Sequence, residues 1–220
     1  MPGTLYIVAT PIGNLSDITF RAVETLKSVD LIAAEDTRHT KILLDKYGIS
    51  KPTTSYFAHS KIQKAEYIID SLKEGRSVAI VSDAGTPGIS DPGYKIIRMA
   101  IDSGIEVVPI PGPSGAITAL TASGKPTDSF TFEGFLSNKS GKRKNQLKKL
   151  KDEGRTAVIY ESPHRILKTL EDILEVYGDI EIVLARELTK KFEELRREKV
   201  SKAITHFKSA SPRGEFVIVV

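Results

Sequence analysis

Apolar runs of strand length alternate with segments of helical period along the first half of the chain. Short apolar runs predict β-strands at residues 5–9, 31–34, 53–57, 78–81 and 105–110. Between them, apolar residues at helical spacing predict helices at residues 17–29, 37–47, 62–73 and 94–102, the last three each ended by a glycine. Strands that alternate with helices over short connections form a mainly parallel sheet covered on both faces. The first half is therefore predicted to be an α/β domain.

A proline-rich stretch separates this pattern from a second one. Pro109, Pro111 and Pro113 discourage regular structure, and we place the domain boundary there, with an N-terminal domain at 1–112 and a C-terminal domain at 113–220. In the second half the pattern predicts strands at residues 129–135, 157–161, 180–185 and 215–220. It predicts helices at residues 143–151 and 164–177 and one within 193–208. The predicted fold class is α/β, with a mainly parallel N-terminal sheet and a mixed C-terminal sheet.

The composition indicates a globular protein. Apolar residues make up 40% and charged residues 27% of the chain, and there is no cysteine. The lack of cysteine excludes disulfides and thiolate metal sites and fits a reducing cytoplasm, where we expect the protein to be. The N-terminus does not have the pattern of a signal peptide, and no apolar run approaches the ~20 residues that span a bilayer. No spacing of His, Asp and Glu suggests a catalytic metal, and we predict none.

Positive charge is concentrated in one segment. The whole chain has 32 basic and 28 acidic residues, but residues 139–151 contain seven basic residues and no acidic one. A local field of this kind attracts phosphate. The alternative is an ordinary solvated helix face.

Three loops that follow predicted strands are rich in glycine and proline, at residues 10–14, 82–93 and 111–115. In an open parallel sheet, ligands bind beyond the carboxyl ends of the strands. Glycine lets a backbone approach a ligand, and proline fixes the loop. The loop at 82–93 has three glycines, two prolines and two aspartates, more than one turn requires; the alternative is a long, ordered surface turn. None of the loops has the usual dinucleotide or phosphate-loop pattern, so we expect a small-cofactor site of another kind.

Five motifs in these regions occur together in one known family. They are Ala-Thr-Pro-Ile-Gly-Asn-Leu at 9–15, Ala-Glu-Asp-Thr-Arg at 34–38, the loop at 82–93, Pro-Gly-Pro-Ser at 111–114 and Tyr-Glu-Ser-Pro-His-Arg at 160–165. With them the chain resembles the ribosomal RNA small subunit methyltransferase I family over essentially its whole length. Residues 57–60, which include the lone His59, depart from the family pattern, where a more acidic, Asn-containing segment is expected.

The resemblance implies both an activity and a cofactor. The family methylates the ribose 2′-hydroxyl of a cytidine in the decoding region of 16S rRNA, and it belongs to the tetrapyrrole methylase superfamily, which uses S-adenosylmethionine. It implies a cofactor cleft between the two domains, 16S rRNA or the 30S subunit as the partner, and a homodimer. The residues expected to bind the cofactor are Pro11, Ser82, Asp83, Ala84, Gly85, Thr86, Pro87, Ile89, Ser114, Ala116, Tyr160, Glu161, Ala185 and Glu215.

The catalytic candidates follow the strand at 31–34. A ribose hydroxyl is a poor nucleophile while protonated, so a nearby base helps. We expect Asp36 or Glu35 to be the base or its orienter, and Arg38 to hold an RNA phosphate. Alternatively, Asp36 caps the helix at 37–47, and both roles are compatible. The residues expected to contact the RNA backbone are Lys139, Lys142, Arg143, Lys144 and Lys148.

Two other functions stay open at this point. The same cofactor site suits a methyltransferase for a small acidic tetrapyrrole, although the basic segment favours RNA. A non-enzymatic RNA- or nucleotide-binding module is the third possibility, and the density of glycine-rich loops argues against it.

Overall fold

The computed structural model describes residues 1–56 and 62–220. The segment 57–60, which contains His59 and departs from the family pattern, therefore lies outside the described residues. So does residue 57 as the last residue of the strand predicted at 53–57. The chain divides into two compact units, Met1–Ser114 and Gly115–Val220. Each unit is an α/β arrangement around its own sheet.

Strands and helices alternate strictly in the first unit, apart from one 3-10 turn at Leu15–Asp17. Its elements are β1 (Thr4–Val8), α1 (Phe20–Ser28), β2 (Leu31–Ala34), α2 (Thr37–Lys46), β3 (Thr53–Ser55), α3 (Ile62–Lys73), β4 (Val78–Val81), α4 (Tyr94–Asp102) and β5 (Glu106–Ile110). The helix predicted from residue 17 begins at Phe20, because the Thr19 side chain accepts a hydrogen bond from the Ala22 N–H and caps it.

The N-terminal sheet has the strand order β3-β2-β4-β1-β5, and its neighbouring strands are parallel. Both of its faces are covered. In β2, Leu31 and Ala33 pack into one apolar cluster, while Ile32 and Ala34 pack into another. A strand buried on both faces is apolar at every position, which is why β2 and β4 appear as short apolar runs in the sequence. The predicted parallel sheet is confirmed.

The second unit contains a mixed sheet. Its elements are α5 (Gly115–Thr121), β6 (Phe130–Phe135), α6 (Ser140–Glu153), β7 (Thr156–Glu161), α7 (Ile166–Tyr177), β8 (Glu181–Arg186), β9 (Glu194–Lys199), α8 (Val200–Ser209) and β10 (Phe216–Val219). The strand order is β6-β7-β10-β8-β9, with β6 and β7 parallel and the other pairs antiparallel. Residues of α6, α7 and α8 pack with inward residues of this sheet in one apolar core. The predicted mixed sheet is confirmed.

Two elements of the second unit are absent from the prediction. Helix α5 follows the proline-rich stretch directly, and strand β9 occupies a segment where only a helix was predicted. β9 has a single apolar residue, Leu195, so it has no hydrophobic period to detect. It lies at the edge of the sheet, where charged side chains discourage pairing with another chain.

The described helices contain no segment that is both long and apolar enough to cross a bilayer.

Candidate active site

The carboxyl ends of β2, β4, β1 and β5 lie at one edge of the N-terminal sheet, because these strands are parallel neighbours. The chain leaves this edge through the three glycine- and proline-rich loops and through the acidic segment after β2. This is the edge at which α/β sheets bind ligands. The expectation that the three loops share one edge is therefore met.

Direct hydrogen bonds join the loop after β1 to the loop after β4. The Thr10 N–H donates to the Gly85 carbonyl at 2.9 Å, and the Gly85 N–H donates to the Thr10 carbonyl at 3.1 Å. The buried Thr10 hydroxyl also donates to the Ser82 carbonyl at 3.0 Å. These bonds fix the two loops relative to each other.

Two glycines allow the loops to approach this closely. Gly85 has a φ of 82°, a left-handed conformation that costs any other residue free energy. A Cβ atom on Gly112 would lie only 3.0 Å from the Cβ of Ala9. The loops after β1, β4 and β5 therefore meet largely through backbone.

Ser82 leaves a polar atom available at this edge. The residue is 2% exposed, and its hydroxyl has no hydrogen-bond partner among the described residues. A buried hydroxyl without a partner costs about 1–3 kcal/mol. A bound ligand that hydrogen-bonds to this group recovers that free energy.

Carboxylates connect the acidic segment after β2 with the loop after β4. The Asp36 N–H donates to Oδ1 of Asp83 at 3.1 Å, and the Asp83 N–H donates to Oε2 of Glu35 at 3.3 Å. The Glu35 N–H donates to the Val81 carbonyl at 3.2 Å. The Glu35 side chain is thus held against the glycine-rich loop that contains Asp83.

Asp36 has the capping role that was one of its two predicted roles. Its Oδ1 accepts the Arg38 N–H at 2.8 Å at the start of α2, and its carboxylate also pairs with the Arg38 guanidinium at 2.8 Å. Arg38 lowers the pKa of Asp36 to about 2. A carboxylate of such low basicity is a weak proton acceptor.

The environment of Glu35 raises the pKa of its carboxyl group, in contrast to that of Asp36. Partial burial raises its pKa, the hydrogen bond from the Asp83 N–H opposes this rise, and the negative charge of Asp83 adds to it. A raised pKa makes the Glu35 carboxylate the stronger base of the two. Of these two predicted residues, Glu35 therefore has the more basic carboxylate.

Tyr56 belongs to this edge as well and was missed from the sequence. Its hydroxyl donates to the Val81 carbonyl at 3.1 Å and lies 3.3 Å from the Pro92 carbonyl, which connects the end of β3 to both ends of the 82–93 loop. Burial raises the pKa of Tyr56, and the carboxylates of Glu35, Asp91 and Asp83 add to the effect. A tyrosine at the end of a weak strand carries no sequence signal for this role.

In the second unit, Tyr160 and Ala116 are brought together. The Ala116 N–H, in the first turn of α5, donates to the Tyr160 hydroxyl at 3.0 Å. The Tyr160 ring packs edge-on against Phe132, with 4.9 Å between the ring centroids. The Ala116 amide, expected to bind the cofactor, has a partner inside its own unit.

Glu161 is buried among three partners. Its Oε2 accepts the Thr169 hydroxyl at 2.6 Å, its Oε1 accepts the Ser162 N–H at 2.8 Å, and Arg165 lies 3.3 Å away. These contacts occupy both carboxylate oxygens and tie the end of β7 to α7. A role of the Glu161 side chain in cofactor binding stays a prediction.

The two remaining cofactor candidates of this unit differ in exposure. Ala185 is buried in β8, opposite Val217 of β10. Glu215, just before β10, is exposed, and its carboxylate accepts a hydrogen bond from Lys190 at 2.8 Å.

The basic segment forms α6, and Arg143 must be removed from the predicted RNA contacts. The Arg143 side chain is 3% exposed and pairs with Asp172 of α7 at 2.6 Å. It also donates to the Ser137 carbonyl at 3.2 Å. A buried guanidinium with these partners stabilises the packing of α6 on α7 and cannot reach a phosphate.

The other lysines of the segment divide into two groups. Lys144 is half-buried and pairs with Glu175 at 2.5 Å, which raises the pKa of Lys144. Lys139, Lys142 and Lys148 are exposed and have no ion-pair partner within the described residues. These three are the members of the predicted set that are free to meet a phosphate.

Comparison with known proteins decides the family. The family model for Tetrapyrrole (Corrin/Porphyrin) Methylases matches residues 4–204. A protein named Ribosomal RNA small subunit methyltransferase I from Thermotoga maritima is 52% identical over 218 residues, which cover 99% of this chain and 98% of that protein. The chain belongs to this methyltransferase family. Proteins of the same name from Escherichia coli O157:H7 and Halalkalibacterium halodurans are 52% and 50% identical; the matches cover 99% of this chain in both cases, and 77% and 75% of those proteins.

Solved structures support the fold of the tetrapyrrole methylases. A diphthine synthase matches with a TM-score of 0.78 over 99% of this chain and 89% of its own. A cobalt precorrin-4 methyltransferase of cobalamin biosynthesis matches with a TM-score of 0.74 over 98% and 94%. Both are 16% identical to this chain, so they inform the fold alone.

Membership of the ribosomal RNA small subunit methyltransferase I family also defines the chemistry. The protein is a methyltransferase, and its methyl donor is S-adenosylmethionine. The resemblance stated from the sequence motifs is thus confirmed.

Proposed function

We propose that this protein transfers a methyl group from S-adenosylmethionine to the ribose 2′-hydroxyl of a cytidine in the decoding region of 16S rRNA. One observation carries the proposal. A chain about half identical to ribosomal RNA small subunit methyltransferases I holds a carboxylate of raised basicity, Glu35, beside backbone-lined loops at the ligand edge of its sheet.

The residues present fit the cofactor. S-adenosylmethionine supplies a methyl group on a positively charged sulfur, which is electrophilic without further activation. The backbone-lined loops offer close approach at Gly85 and Gly112, and Ser82 offers a buried hydroxyl without a partner. In the first unit we assign the cofactor to Pro11, Ser82, Asp83, Ala84, Gly85, Thr86, Pro87, Ile89 and Ser114. In the second unit we keep Ala116, Tyr160, Glu161, Ala185 and Glu215 as candidates.

Glu35 is the proposed base. Bound S-adenosylmethionine would supply the electrophilic methyl group, and Oε1 or Oε2 of Glu35 would accept the proton that the attacking ribose 2′-hydroxyl gives up. The hydrogen bond from the Asp83 N–H holds the carboxylate in place. Such positioning of a base contributes typically 10²–10⁴-fold to a rate.

Exposed cations hold the RNA backbone in this proposal. The Arg38 side chain is 90% exposed, and its bonds to Asp36 leave Nη1 free within the described residues. Lys139, Lys142 and Lys148 add positive charge on the second unit. These contacts position the substrate without reading its sequence.

Mass-spectrometric mapping of 2′-O-methylation tests the proposal. Purified protein, S-adenosylmethionine and unmethylated 30S subunits are expected to yield one methylated cytidine in the decoding region. Protein-free 16S rRNA and a carboxylated porphyrinoid serve as alternative acceptors. Methylation of the porphyrinoid but of neither RNA substrate would assign the protein to small tetrapyrroles instead.

Two further expectations accompany this function. We propose that the protein acts in the cytoplasm, where its RNA substrate is assembled, and that it works as a homodimer, as the family resemblance implies. Sedimentation equilibrium measures the mass of the protein in solution and so tests the homodimer. A single species of 24.1 kDa would exclude it.

A further inference from the structure

A hollow of about 340 Å³ in the first unit lies outside the residues used so far, except for Arg38. One side of it is a face of α2 that carries Arg38, Lys41 and Asp45, residues three and four positions apart. Its other side is the segment 49–53, which leads from α2 to β3. The volume lies near the lower end of the ~300–1,000 Å³ range of small-ligand sites.

Positive charge exceeds negative charge in the hollow. It is lined by three cations, Arg38, Lys41 and Lys51, and by one acid, Asp45. Asp45 is already paired with Lys41 at 2.9 Å. Lys51 has no ion-pair partner among the described residues, and Arg38 keeps free donors beyond its pair with Asp36. An anionic ligand therefore has two available cations in the lining of the hollow.

The rest of the lining suits a sugar or a base. Leu44 and Ile49 contribute apolar surface, although each is mostly buried. Thr37, Ser50 and Thr53 contribute hydroxyl groups that donate and accept hydrogen bonds. Apolar surface, hydroxyls and cations in one small volume match the three parts of a nucleoside phosphate.

The hollow adjoins the candidate active site along the chain. Arg38 lines the hollow and pairs with Asp36, and Glu35 directly precedes Asp36. A polynucleotide whose ribose lies against Glu35 would therefore pass its next phosphate by Arg38.

We propose that this hollow binds the nucleotide adjacent to the methylated cytidine, with Arg38 and Lys51 each contacting a phosphate of that strand. The inference rests on the proposed function and deepens it, because it adds a subsite for a neighbouring nucleotide. The subsite fixes the substrate strand and takes no part in methyl transfer.

Lysine footprinting on the wild-type protein tests this subsite without any variant. The protein is acetylated with and without the decoding-region fragment of 16S rRNA, and modification of each lysine is measured by mass spectrometry. We expect the RNA to protect Lys51 several-fold and to leave Lys46, on α2 but outside the hollow, unprotected. Equal modification of Lys51 with and without bound RNA would overturn the subsite.

Charge reversal gives an independent measurement. Lys51→Glu is expected to raise KM for 30S subunits about tenfold with kcat nearly unchanged, and to reduce the salt dependence of RNA binding by about one counterion. Lys46→Glu makes the same change in net charge and is expected to behave like the wild type. Equal effects of the two variants would mean that the overall charge of the protein, and not a contact of Lys51, determines RNA binding. That result would overturn the subsite.

A free nucleotide carries the same phosphate, sugar and base and is the alternative ligand for this hollow. Cytidine monophosphate is therefore included at millimolar concentration. Protection of Lys51 by cytidine monophosphate but not by the RNA fragment would overturn the RNA subsite. If the wild-type protein methylates no RNA, the proposed function fails; if it methylates rRNA while Lys51 stays unprotected, only the subsite fails.

Discussion

At the scale of single residues, two adjacent carboxylates have different environments and therefore different basicities. Glu35 is partly buried, and this burial raises its pKa although the hydrogen bond from the Asp83 N–H opposes the rise. Asp36 caps α2 and pairs with Arg38, so its pKa is about 2. We therefore infer that Glu35 accepts the proton and Asp36 fixes the segment that carries it.

Glu35→Gln tests the proton acceptor. The amide keeps the size of the side chain and an oxygen for the Asp83 N–H, but it cannot take up the ribose proton. We expect kcat to fall by about 10²-fold or more, measured as methyl incorporation into 30S subunits. Glu24→Gln, an exposed position on α1, is the control. A Glu35→Gln enzyme with nearly wild-type kcat would exclude this base.

The pH profile gives a second test of Glu35. Its pKa lies above the ordinary value of 4.5 because burial disfavours the charged form. The active form is the carboxylate, so the single-turnover rate is expected to fall as the pH decreases through this raised pKa. A wild-type acidic limb at or below pH 4.5 would contradict the raised pKa.

Asp36→Ala separates capping from catalysis. Loss of the cap and of the pair with Arg38 is expected to lower Tm by a few degrees, measured by thermal unfolding. The loss of kcat is expected to be much smaller than for Glu35→Gln, at a temperature where both variants are folded. A larger loss of kcat for Asp36→Ala would return Asp36 to the role of base.

At the scale of elements, a buried ion pair joins two helices of the second unit. Arg143 of α6 and Asp172 of α7 are 2.6 Å apart, with side-chain exposures of 3% and 9%. The Ser140 hydroxyl also donates to Asp172 at 3.0 Å. Through these contacts Arg143 packs α6 against α7, although it lies in the basic segment of the sequence.

Asp172→Ala should reveal this role. It leaves the Arg143 charge buried without a partner, so we expect the free energy of unfolding to fall by about 3 kcal/mol or more, measured by urea denaturation. Glu175→Ala removes an exposed partner of Lys144 on the same helix and is expected to cost less than about 1 kcal/mol. Similar small losses for both variants would mean that the pair contributes little.

At the scale of the whole molecule, the net charge of +4 is too small to define a partner. The distribution of unpaired cations is more informative. Lys139, Lys142 and Lys148 are exposed and unpaired within the described residues, and Lys51 lies on the first unit. RNA binding through such groups is expected to weaken steeply with salt.

Substituting Lys139, Lys142 and Lys148 together by Gln tests the basic helix. We expect the slope of log K against log salt to become shallower by about three, one for each phosphate that is no longer neutralised. Affinity for an rRNA fragment is measured at several salt concentrations. The control replaces Lys27, Lys46 and Lys73, three exposed lysines of the first unit, by Gln. Equal slopes for the two triple variants would exclude a specific role for α6.

Local patterns in the sequence predict most of the fold and the region of the site. Apolar runs, helical periods and turn residues such as Gly85 can be recognised from residues that are close together in the sequence. The parallel sheet, the three loops and the family motifs could therefore be predicted without coordinates. Strand β9 could not, because an edge strand with charged side chains has no hydrophobic period.

The sequence by itself determined the two α/β units, the loops at one sheet edge and the kinship with the methyltransferases. Only the tertiary structure decided that Arg143 is buried, that Tyr56 supports the long loop, and that Glu35 rather than Asp36 has the higher basicity. The physical reason is that burial and pKa depend on partners distant in sequence: Asp83, which contacts both the Glu35 side chain and the Asp36 backbone, lies 48 and 47 residues away from them.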